Sequence, residues 1–555
     1  MSEKSNKLTH NEVIKEANPS LAGDIAATLH DEQAEAFSAD DQQFIKFHGI
    51  YQQDDRDVRK QGKKFMFMVR GVNPGGIMAP ELYLTYDRLS EEYGNQTLRI
   101  TSRQSLQFHG VVKSGLGPLM KGINDALATT LAACGDVNRN VMAPPTPAGN
   151  ALSTRVLEDC RRVTEALLPS TRAYHQIWVE GVKIKVDDSD FEDPLYGKTY
   201  LPRKLKSAFA IPPLNDTDVF TNCMGFVAIE KDGELVGYNL TAGGGMGMNH
   251  NRPETYPRVA DVVGFFAPEH LVDIAKAVLT VHRDFGDRTD RKHARLKYVI
   301  AEQGLDWFRE QVNQRAGITL EDPRPFEFDR QGDLFGWHEQ TDGNLFFGLH
   351  VLSGRVKDTE KVRLKSALRK IVTEHQTEVR LTATQNILLA NIAPDKKDSI
   401  ASILDEHGVT GTQDLSEVQL ASMACPALPT CGLSLAESER YLPDLLGTVE
   451  NLLDNNNLTG ERIILRMTGC PNGCARPYIA ELSFVGRSPN KYAVYVGGNE
   501  AGTRLGRLFD QNVKVDEIPV KIGELFARFK SERQEDERFG DYCCRVVWPE
   551  LEETT

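Results

Sequence analysis

The stretch Leu98-Arg-Ile-Thr-Ser-Arg-Gln-Ser-Leu-Gln-Phe-His109 has a counterpart about 280 residues later, Val379-Arg-Leu-Thr-Ala-Thr-Gln-Asn-Ile-Leu-Leu-Ala390. Without gaps, the alignment matches identical residues at Arg99/Arg380, Thr101/Thr382 and Gln104/Gln385. Upstream, Phe65–Arg70 has a counterpart in Leu345–His350. The sequence therefore predicts a duplicated unit of about 280 residues.

The first of these stretches also predicts a ligand-binding face. We expect strands over 65–70 and 98–110, with helices over 79–93 and 115–133. Alternate residues of a strand share a face, which here would carry Arg99, Thr101, Arg103, Ser105, Gln107 and His109. Such a row suits an anionic ligand, although an ordinary solvent face would look the same. The second copy has Thr384, Leu388 and Ala390 in place of Arg103, Gln107 and His109, so only the first copy keeps the donors.

The second copy has instead two cysteine pairs, Cys425-Pro-Ala-Leu-Pro-Thr-Cys431 and Cys470-Pro-Asn-Gly-Cys474. Four thiolates are soft ligands that suit an iron–sulfur cluster or zinc. Zinc sites usually use tighter pairs than this C-x5-C spacing, which favours a [4Fe–4S] cluster. Zinc, a redox disulfide or plain buried thiols remain open on spacing alone.

The other cysteines have no such spacing. Cys134 and Cys223 are expected where the second copy has its ligand cysteines, as small buried residues. Cys160 has no assigned role, and buried packing is also the simplest hypothesis for the adjacent Cys543 and Cys544.

Further candidate anion-binding residues lie in the first copy. Arg70 ends a predicted strand, Arg139 precedes Ala143-Pro-Pro145, and Lys204 and Lys206 alternate on an extended segment. Each alone could be solvated surface. The run Gly243-Gly-Gly-Met-Gly247 would let backbone N–H groups approach a carboxylate or macrocycle, as would a merely flexible loop. Neither a Walker A nor a Rossmann motif is present, so NADPH or ATP binding by this chain is not expected.

Composition narrows the class of protein. The chain has 555 residues, 40% of them hydrophobic, and a formal net charge of −14. This charge argues against nucleic-acid binding. We expect no membrane span and no signal peptide, hence a cytoplasmic protein whose thiols stay reduced.

Together these features resemble the sirohaem- and [4Fe–4S]-containing sulfite and nitrite reductases, most closely the haemoprotein subunits of assimilatory NADPH-dependent sulfite reductases. The resemblance covers nearly the whole chain, including Phe47-His-Gly-Ile-Tyr-Gln-Gln-Asp-Asp-Arg-Asp57, and its most specific motif is Thr468-Gly-Cys-Pro-Asn-Gly-Cys474. It implies six-electron reduction of sulfite to sulfide for cysteine biosynthesis. Electrons would come from a flavoprotein (alpha) subunit that carries FAD and FMN and oxidises NADPH.

The resemblance also implies roles for particular residues. Cys425, Cys431, Cys470 and Cys474 would bind the [4Fe–4S] cluster, and Cys474 would also bridge to the sirohaem iron. Sirohaem contacts would come from Arg103, Gln107, His109, Gly243, Gly244, Gly245 and Asn472. The catalytic cations that bind the sulfite oxygens would be Arg70, Arg139, Lys204 and Lys206.

The fold implied is α+β and three-lobed. One ferredoxin-like domain with pseudo-twofold symmetry would combine residues 63–131 and 331–407 from the two copies. Two α/β domains would follow, a sirohaem- and substrate-binding one over 132–330 and a cluster-binding one over 408–555. Residues 1–62 would form an arm, mobile over its first twenty or so residues, that docks the flavoprotein.

Two alternatives remain. One is a ferredoxin-dependent sulfite or nitrite reductase on the same scaffold. The other is a structural zinc- or cluster-binding protein without catalysis, which would have no need of a cationic face in one copy only. A dissimilatory enzyme is disfavoured because the chain has no additional C-x2-C-x2-C insertion.

Overall fold

The computed structural model describes residues 7–170, 191–409 and 411–553, together with the backbone of two short strands at 177–179 and 182–184. The strands are β1 Ile50–Asp54, β2 Phe65–Arg70, β3 Ile77–Met78, β4 Leu98–Ile100, β5 Leu106–Val111, β6 Ile177–Val179, β7 Val182–Ile184, β8 Ser207–Ala210, β9 Met224–Lys231, β10 Glu234–Ala242, β11 Asp261–Phe266, β12 Gly336–Glu339, β13 Leu345–Leu349, β14 Arg355–Val356, β15 Glu378–Leu381, β16 Ile387–Ile392, β17 Ser422–Ala424, β18 Leu465–Thr468, β19 Leu482–Ser488, β20 Lys491–Val496 and β21 Arg507–Lys514.

The helices cover the sheets and fill the spaces between them. They are α1 His10–Ala17, α2 Ile25–His30, α3 Asp41–Phe47, α4 Pro80–Tyr93, α5 Lys113–Asp125, α6 Ala151–Ala166, α7 Leu271–Phe285, α8 Leu296–Gln303, α9 Leu305–Ala316, α10 Leu364–His375, α11 Lys397–Glu406, α12 Glu417–Leu420, α13 Leu442–Asn455, α14 Ile518–Glu532, α15 Phe539–Tyr542 and α16 Trp548–Glu553. Helix α4 confirms the prediction over 79–93, whereas α5 is shorter than predicted. Within the described ranges, a helix apolar and long enough to cross a bilayer is absent.

Two sheets of matching topology form the ferredoxin-like centre. Their strand orders are β1-β2-β5-β4-β14 and β12-β13-β16-β15-β3, so each sheet takes its last strand from the other half of the chain. Arg355 of β14 pairs with Arg99, and Ile77 of β3 pairs with Arg380. This exchange ties the two copies together. Phe67, Leu98, Phe347 and other apolar side chains from both sheets share one buried cluster.

The predicted single strand over 98–110 is wrong, because the chain turns back on itself there. Strands β4 and β5 form a hairpin whose turn has Gln104 at φ 53°, and its mate Gln385 has φ 75°. Arg99 lies directly opposite Gln107, so Arg99, Gln107 and His109 do share a face. Thr101, Arg103 and Ser105 lie in the turn instead. Alternation along the sequence cannot distinguish a long strand from such a tight hairpin.

The two outer lobes repeat one α/β plan. Strands β8, β9, β10 and β11 form one sheet, and β17 to β21 form the other. In the first, Met142 adds a parallel bridge to Ala208, in the position that β17 has beside β18. Ser207 pairs with Met224 as Leu465 pairs with Leu482. The duplication therefore extends through the lobes, and the predicted α+β fold is confirmed.

This register corrects the predicted correspondence of the cysteines. Cys223 immediately precedes β9 and is thus equivalent to Glu481, not to a ligand cysteine. The mate of Cys474 is Asp216. Cys134 lies eight residues before Met142, whereas Cys425 lies two residues after Met423, the mate of Met142. A shared cysteine next to glycine is too short a pattern to establish equivalence. Cys134 and Cys223 are nevertheless both buried, as predicted.

The described part of the N-terminal segment is docked on the body rather than mobile. Lys15 of α1 donates to Leu201 O at 3.0 Å and is ion-paired with Glu12 at 2.6 Å. Arg288 also pairs with Glu12. The predicted domain boundaries stay predictions.

The lobes meet at the pseudo-twofold axis through an ion pair between equivalent residues. Asp218 and Arg476 both have left-handed backbone angles and both precede a short 3-10 turn. The Asp218 carboxylate pairs with Arg476, and with Arg466 at 2.9 Å. Burial opposes its ionisation, but the two arginines hold the pKa of Asp218 below its usual value.

We expect Asp218→Asn to lower the free energy of unfolding by about 3 kcal/mol, because it leaves two buried guanidinium groups without a counter-ion. A urea midpoint well below that of the wild type is the expected measurement. Asp232→Asn, at an exposed turn, is the matched control. Equal midpoints for both variants would contradict a structural role for the pair.

Candidate active site

Strand topology explains how the two cysteine pairs meet. Strands β17 and β18 are parallel neighbours, Cys425 follows β17, and Cys470 follows β18 two residues after its end. Parallel strands that are adjacent end at the same edge of a sheet. The two following loops then return Cys431 and Cys474 to that edge. The structure thus brings the four predicted ligand cysteines together.

The surroundings of these thiols fit a cluster-binding site. Burial, followed by the effect of a neighbouring thiol of the set, raises the pKa of Cys425, Cys431 and Cys470 to about 12. Gly469 N–H donates to Cys425 Sγ at 3.3 Å, and the Asn472 amide donates to Cys470 Sγ at 3.5 Å. Such donors stabilise sulfur that carries negative charge. Across residues 7–170, 191–409 and 411–553, no three His, Cys, Asp or Glu side chains lie close enough to hold a single metal ion.

Cationic side chains of the first copy line a region beside Cys474. Lys204 and Lys206 precede β8, Arg103 lies in the β4–β5 turn, and Arg139 precedes the Met142 bridge. Burial and then Arg103 lower the pKa of Lys206 to about 7, while the Cys474 thiol acts in the opposite direction. Burial and then Arg203 lower the pKa of Lys204 well below its usual value. We call Arg70, Arg103, Arg139, Lys204 and Lys206 the cationic basin.

Backbone carbonyl and amide groups, rather than carboxylates, hold the arginines of the basin. Arg103 donates to Asn222 Oδ1 at 2.7 Å and to the carbonyls of Asn140 and Ser207 at 2.6 and 2.9 Å. Arg139 donates to Gly135 O at 2.9 Å and Ala133 O at 3.2 Å. Neutral acceptors fix the guanidinium groups without cancelling their charge. The basin therefore attracts an anion.

Arg70 extends the basin across the ferredoxin-like sheet. The Gln107 amide, with its oxygen toward Arg70, accepts from Arg70 Nε at 2.9 Å and donates to His109 Nε2 at 3.2 Å. Burial and then Arg355 lower the pKa of His109 well below its usual value, which leaves the ring neutral and able to accept. Gln107 thus holds the Arg70 guanidinium by a hydrogen bond, and His109 in turn holds Gln107. Their predicted contact with a cofactor stays a prediction.

The glycine run packs between the basin and the cysteines. A Cβ on Gly244 would overlap the carbonyl oxygens of Phe220 and Asn222, and one on Gly247 would overlap the Arg295 guanidinium. Met248 N–H donates to Pro471 O at 3.0 Å, inside the second cysteine loop. In the same region Ser102 Oγ donates to Cys474 O at 2.8 Å. Glycine loop, hairpin turn and cysteine loop therefore form one site.

We expect Gly244→Ala to lower the amount of haem bound per chain at least severalfold, because the added methyl displaces the loop from the two carbonyls. Gly244 has an ordinary φ, so the variant tests space rather than backbone strain. Absorbance and iron content per chain are the measurements. Gly117→Ala meets no atom within 4 Å and serves as control. Full cofactor content in Gly244→Ala would contradict the role assigned to this loop.

Sequence reasoning missed several residues of the site. Lys297 donates to Gly245 O at 3.1 Å and Gly247 O at 2.9 Å, which holds the glycine loop in place. Burial and then Arg295 lower the pKa of Lys297 to about 6. Arg295 itself reaches Gly247, and Tyr51 lies near Arg139 and Arg70. The alternation of cations in Arg295-Leu-Lys297 was the one sequence feature that pointed to these residues. It lies in a segment of mixed charge, which is typical of a solvent-exposed surface.

The second copy has a small cavity at the position equivalent to the basin. The register gives Thr384, Leu420, Arg462 and Ile464 as the mates of Arg103, Arg139, Lys204 and Lys206. All four mates line one small cavity of about 20 Å³. Arg462 is paired there with Glu500 at 2.9 Å. Among the described residues at these four positions, cations without a paired carboxylate therefore occur in the first copy alone.

Four grouped cysteines beside a cationic basin, on paired ferredoxin-like halves, are the features of an iron–sulfur oxidoreductase that acts on a small anion. Known proteins agree with this class. The chain matches the ferredoxin-like half domain of nitrite and sulfite reductases at residues 58–126 and 338–407, and the nitrite and sulphite reductase 4Fe-4S domain at 159–320. This last match covers the copy without the cysteine pairs, as the duplication allows.

Curated relatives extend the match over nearly the full length. The "sulfite reductase [NADPH] hemoprotein beta-component" of Myxococcus xanthus is 45% identical, with 98% of each chain covered. The proteins of the same name from Oceanobacillus iheyensis and Staphylococcus haemolyticus are 44% and 45% identical over 97% of this chain and 94% and 95% of theirs. The NirA structure from Mycobacterium tuberculosis has the same fold, with a TM-score of 0.79, 24% identity and coverage of 98% and 97%. The chain belongs to the nitrite and sulfite reductase family, as the sequence predicted.

Proposed function

We propose that this protein reduces sulfite to sulfide by six electrons. Cys425, Cys431, Cys470 and Cys474 would hold a [4Fe–4S] cluster, and Cys474 would also hold a sirohaem beside it. The observation that carries the proposal is the cationic basin. Its arginines are fixed by neutral acceptors, its lysines have pKa values lowered by burial, and it adjoins Cys474. The names of the relatives favour sulfite over nitrite and an NADPH-linked donor over ferredoxin.

The residues present fit both cofactors. Cys425, Cys431, Cys470 and Cys474 would hold the cluster, with N–H donors already directed at two of the sulfurs. The many carboxylates of a sirohaem would be matched by Arg103 and by the cradle of Gly243, Gly244 and Gly245, with Asn472 close by. When bound, the pair supplies electrons one at a time to the substrate sulfur. Thiol ligands stay reduced in the cytoplasm, which is the compartment we propose.

The chain itself supplies charge and protons. Arg70, Arg139, Lys204 and Lys206 would bind the sulfite oxygens and offset the repulsion between the anion and incoming electrons. Each oxygen leaves as water and needs protons. With a pKa near 7, Lys206 can give up a proton at neutral pH and regain one from solvent. An arginine cannot do this, so the arginines hold the anion while the lysines also deliver protons.

The electrons would come from a flavoprotein subunit that oxidises NADPH through FAD and FMN. The relatives are named as beta-components, which implies an alpha partner in those proteins. This chain has no nucleotide-binding motif of its own. We therefore assign NADPH oxidation to a separate chain.

The proposal is tested by an absorption spectrum of the purified protein, followed by oxidation of reduced methyl viologen with and without sulfite. We expect a haem spectrum and sulfite-dependent oxidation that yields sulfide. A colourless protein loaded with zinc would establish the structural alternative. Faster viologen oxidation with nitrite than with sulfite at equal concentration would favour the nitrite reductase.

A further inference from the structure

The loop between β1 and β2 differs from its mate in the second copy. Residues Asp55–Lys64 make up this loop, which we call the basic loop, because it has five basic and only two acidic residues. In the second copy, β12 and β13 are joined by the short turn Gln340–Asn344, which contains no basic residue. The ferredoxin-like fold thus closes the hairpin without such a loop. Its length and charge need another explanation.

The basic loop lies against the cysteine-bearing loop of the third lobe. Arg56 N–H donates to Pro429 O at 3.3 Å, and the Arg56 guanidinium donates to Ser434 O at 2.5 Å and Cys431 O at 3.4 Å. Asp57 pairs with Arg440 at 2.6 Å. These contacts cross between distant parts of the chain. They place the loop beside Cys431, a ligand of the proposed cluster.

The surface at this point has the pattern of an electron-transfer contact. Leu433 is an apolar side chain with 68% of its surface exposed, two residues after the partly exposed Cys431. Lys60, Lys63 and Lys64 are all exposed on the neighbouring basic loop. Arg59 is paired with Asp54 at 2.6 Å, so the three lysines supply most of the free charge. The chain as a whole has a net charge of −14, which makes this positive surface a local exception.

We propose that the basic loop and Leu433 form the docking site for an acidic, flavin-bearing electron donor, which passes electrons into the cluster on the Cys431 side. The inference rests on the proposed function, because it needs a cluster at the four cysteines. Opposite charge steers such partners together and orients them. The apolar tip allows close approach without burying a charge. Small dyes that reduce the protein need no docking site.

The test compares two electron donors on cofactor-loaded protein. The triple variant Lys60→Glu, Lys63→Glu, Lys64→Glu is reduced either by methyl viologen or by the NADPH-reduced flavoprotein from the same organism. We expect the second-order rate with the flavoprotein to fall at least tenfold at low salt, with a weaker dependence on ionic strength than in the wild type. The viologen-driven rate with sulfite should stay within twofold. Leu433→Glu should slow the flavoprotein reaction independently.

A matched control separates docking from net charge. Lys231→Glu, Lys357→Glu, Lys361→Glu makes the same change in charge at exposed positions elsewhere and should leave both donors unaffected. An equal loss in control and test variants, or no loss in either test variant, would overturn the docking site. A wild type active with viologen but not with the flavoprotein would also overturn it, while the reductase assignment stands. Inactivity with viologen would instead reject the proposed function.

Discussion

Cys474→Ser is expected to abolish sulfite reduction and to remove the electronic coupling between haem and cluster. The loop that carries Cys474 lies between the hairpin turn, through Ser102, and the glycine loop, through Met248 and Pro471. Of the four paired cysteines, Cys474 is the one whose thiol raises the pKa of Lys206, against the effects of burial and Arg103. A serine oxygen is a harder and more basic ligand than a thiolate and does not replace it as a bridge. Absorption and electron paramagnetic resonance spectra of the loaded variant measure the coupling.

The control for this variant is Cys544→Ser. Cys544 is partly exposed and lies outside the site, so its replacement should leave spectra and turnover as in the wild type. Cys425→Ser provides a comparison inside the site, because it would weaken the cluster without removing the bridging sulfur. A Cys474→Ser protein with the wild-type coupled spectrum would contradict the bridging role. Cluster binding by the other cysteines would then need a different partner for the haem.

Much of the fold was predictable because the chain contains its own comparison. The match of Arg99 with Arg380 and of Gln104 with Gln385 marks equivalent turns, and both glutamines have left-handed backbone angles. The exchange of β3 and β14 was not predictable. Two-residue strands have no periodicity to detect, and their pairing depends on contacts across hundreds of residues.

The grouping of Cys425, Cys431, Cys470 and Cys474 was the most predictable part of the site. The correspondences between the two copies were the least predictable part. The spacing of cysteines within a short motif is visible in the sequence itself, so C-x5-C and C-x3-C indicate a metal or cluster site without a structure. Equivalence between copies depends instead on strand register. The assignment of Cys223 as a ligand mate failed for that reason. Lys297 was missed because it donates to backbone carbonyls, and no sequence pattern marks such contacts.

The comparison between copies also indicates why the cationic basin is found in the first copy. Each lobe positions the same four sites through the same register, yet the second copy has placed Leu420 and Ile464 where the first has Arg139 and Lys206. Burying cations without counter-ions costs free energy, unless a bound anion offsets the loss of hydration. The second copy avoids that cost with two apolar residues and with the pairing of Arg462 to Glu500, and the four positions line a small cavity. The first copy retains the cost, which is the expected signature of a site that binds an anion.

Lys206→Met is expected to keep both cofactors and to lower kcat with sulfite by about 10² to 10³, the usual effect of removing one preorganised charge from an active site. The apolar residue should be tolerated, because Ile464 occupies the equivalent position in the second copy. The wild-type rate should also fall as pH rises above about 7, the value to which burial and Arg103 lower the pKa of Lys206. Below that pH the ammonium is charged and able to bind and protonate the anion. Above it the charge is lost.

Three measurements separate this role from a structural one. Lys206→Arg keeps a charge that does not titrate, so it should restore sulfite binding, seen in KM, but not the full kcat. The limb of the pH profile near 7 should disappear in both variants, while the haem and cluster content per chain stays constant. Lys198→Met, at an exposed position on the same segment, should behave as the wild type. A Lys206→Met enzyme that retains the wild-type kcat and pH profile would show that proton delivery does not pass through this lysine, and would leave Lys204 as the group to test next.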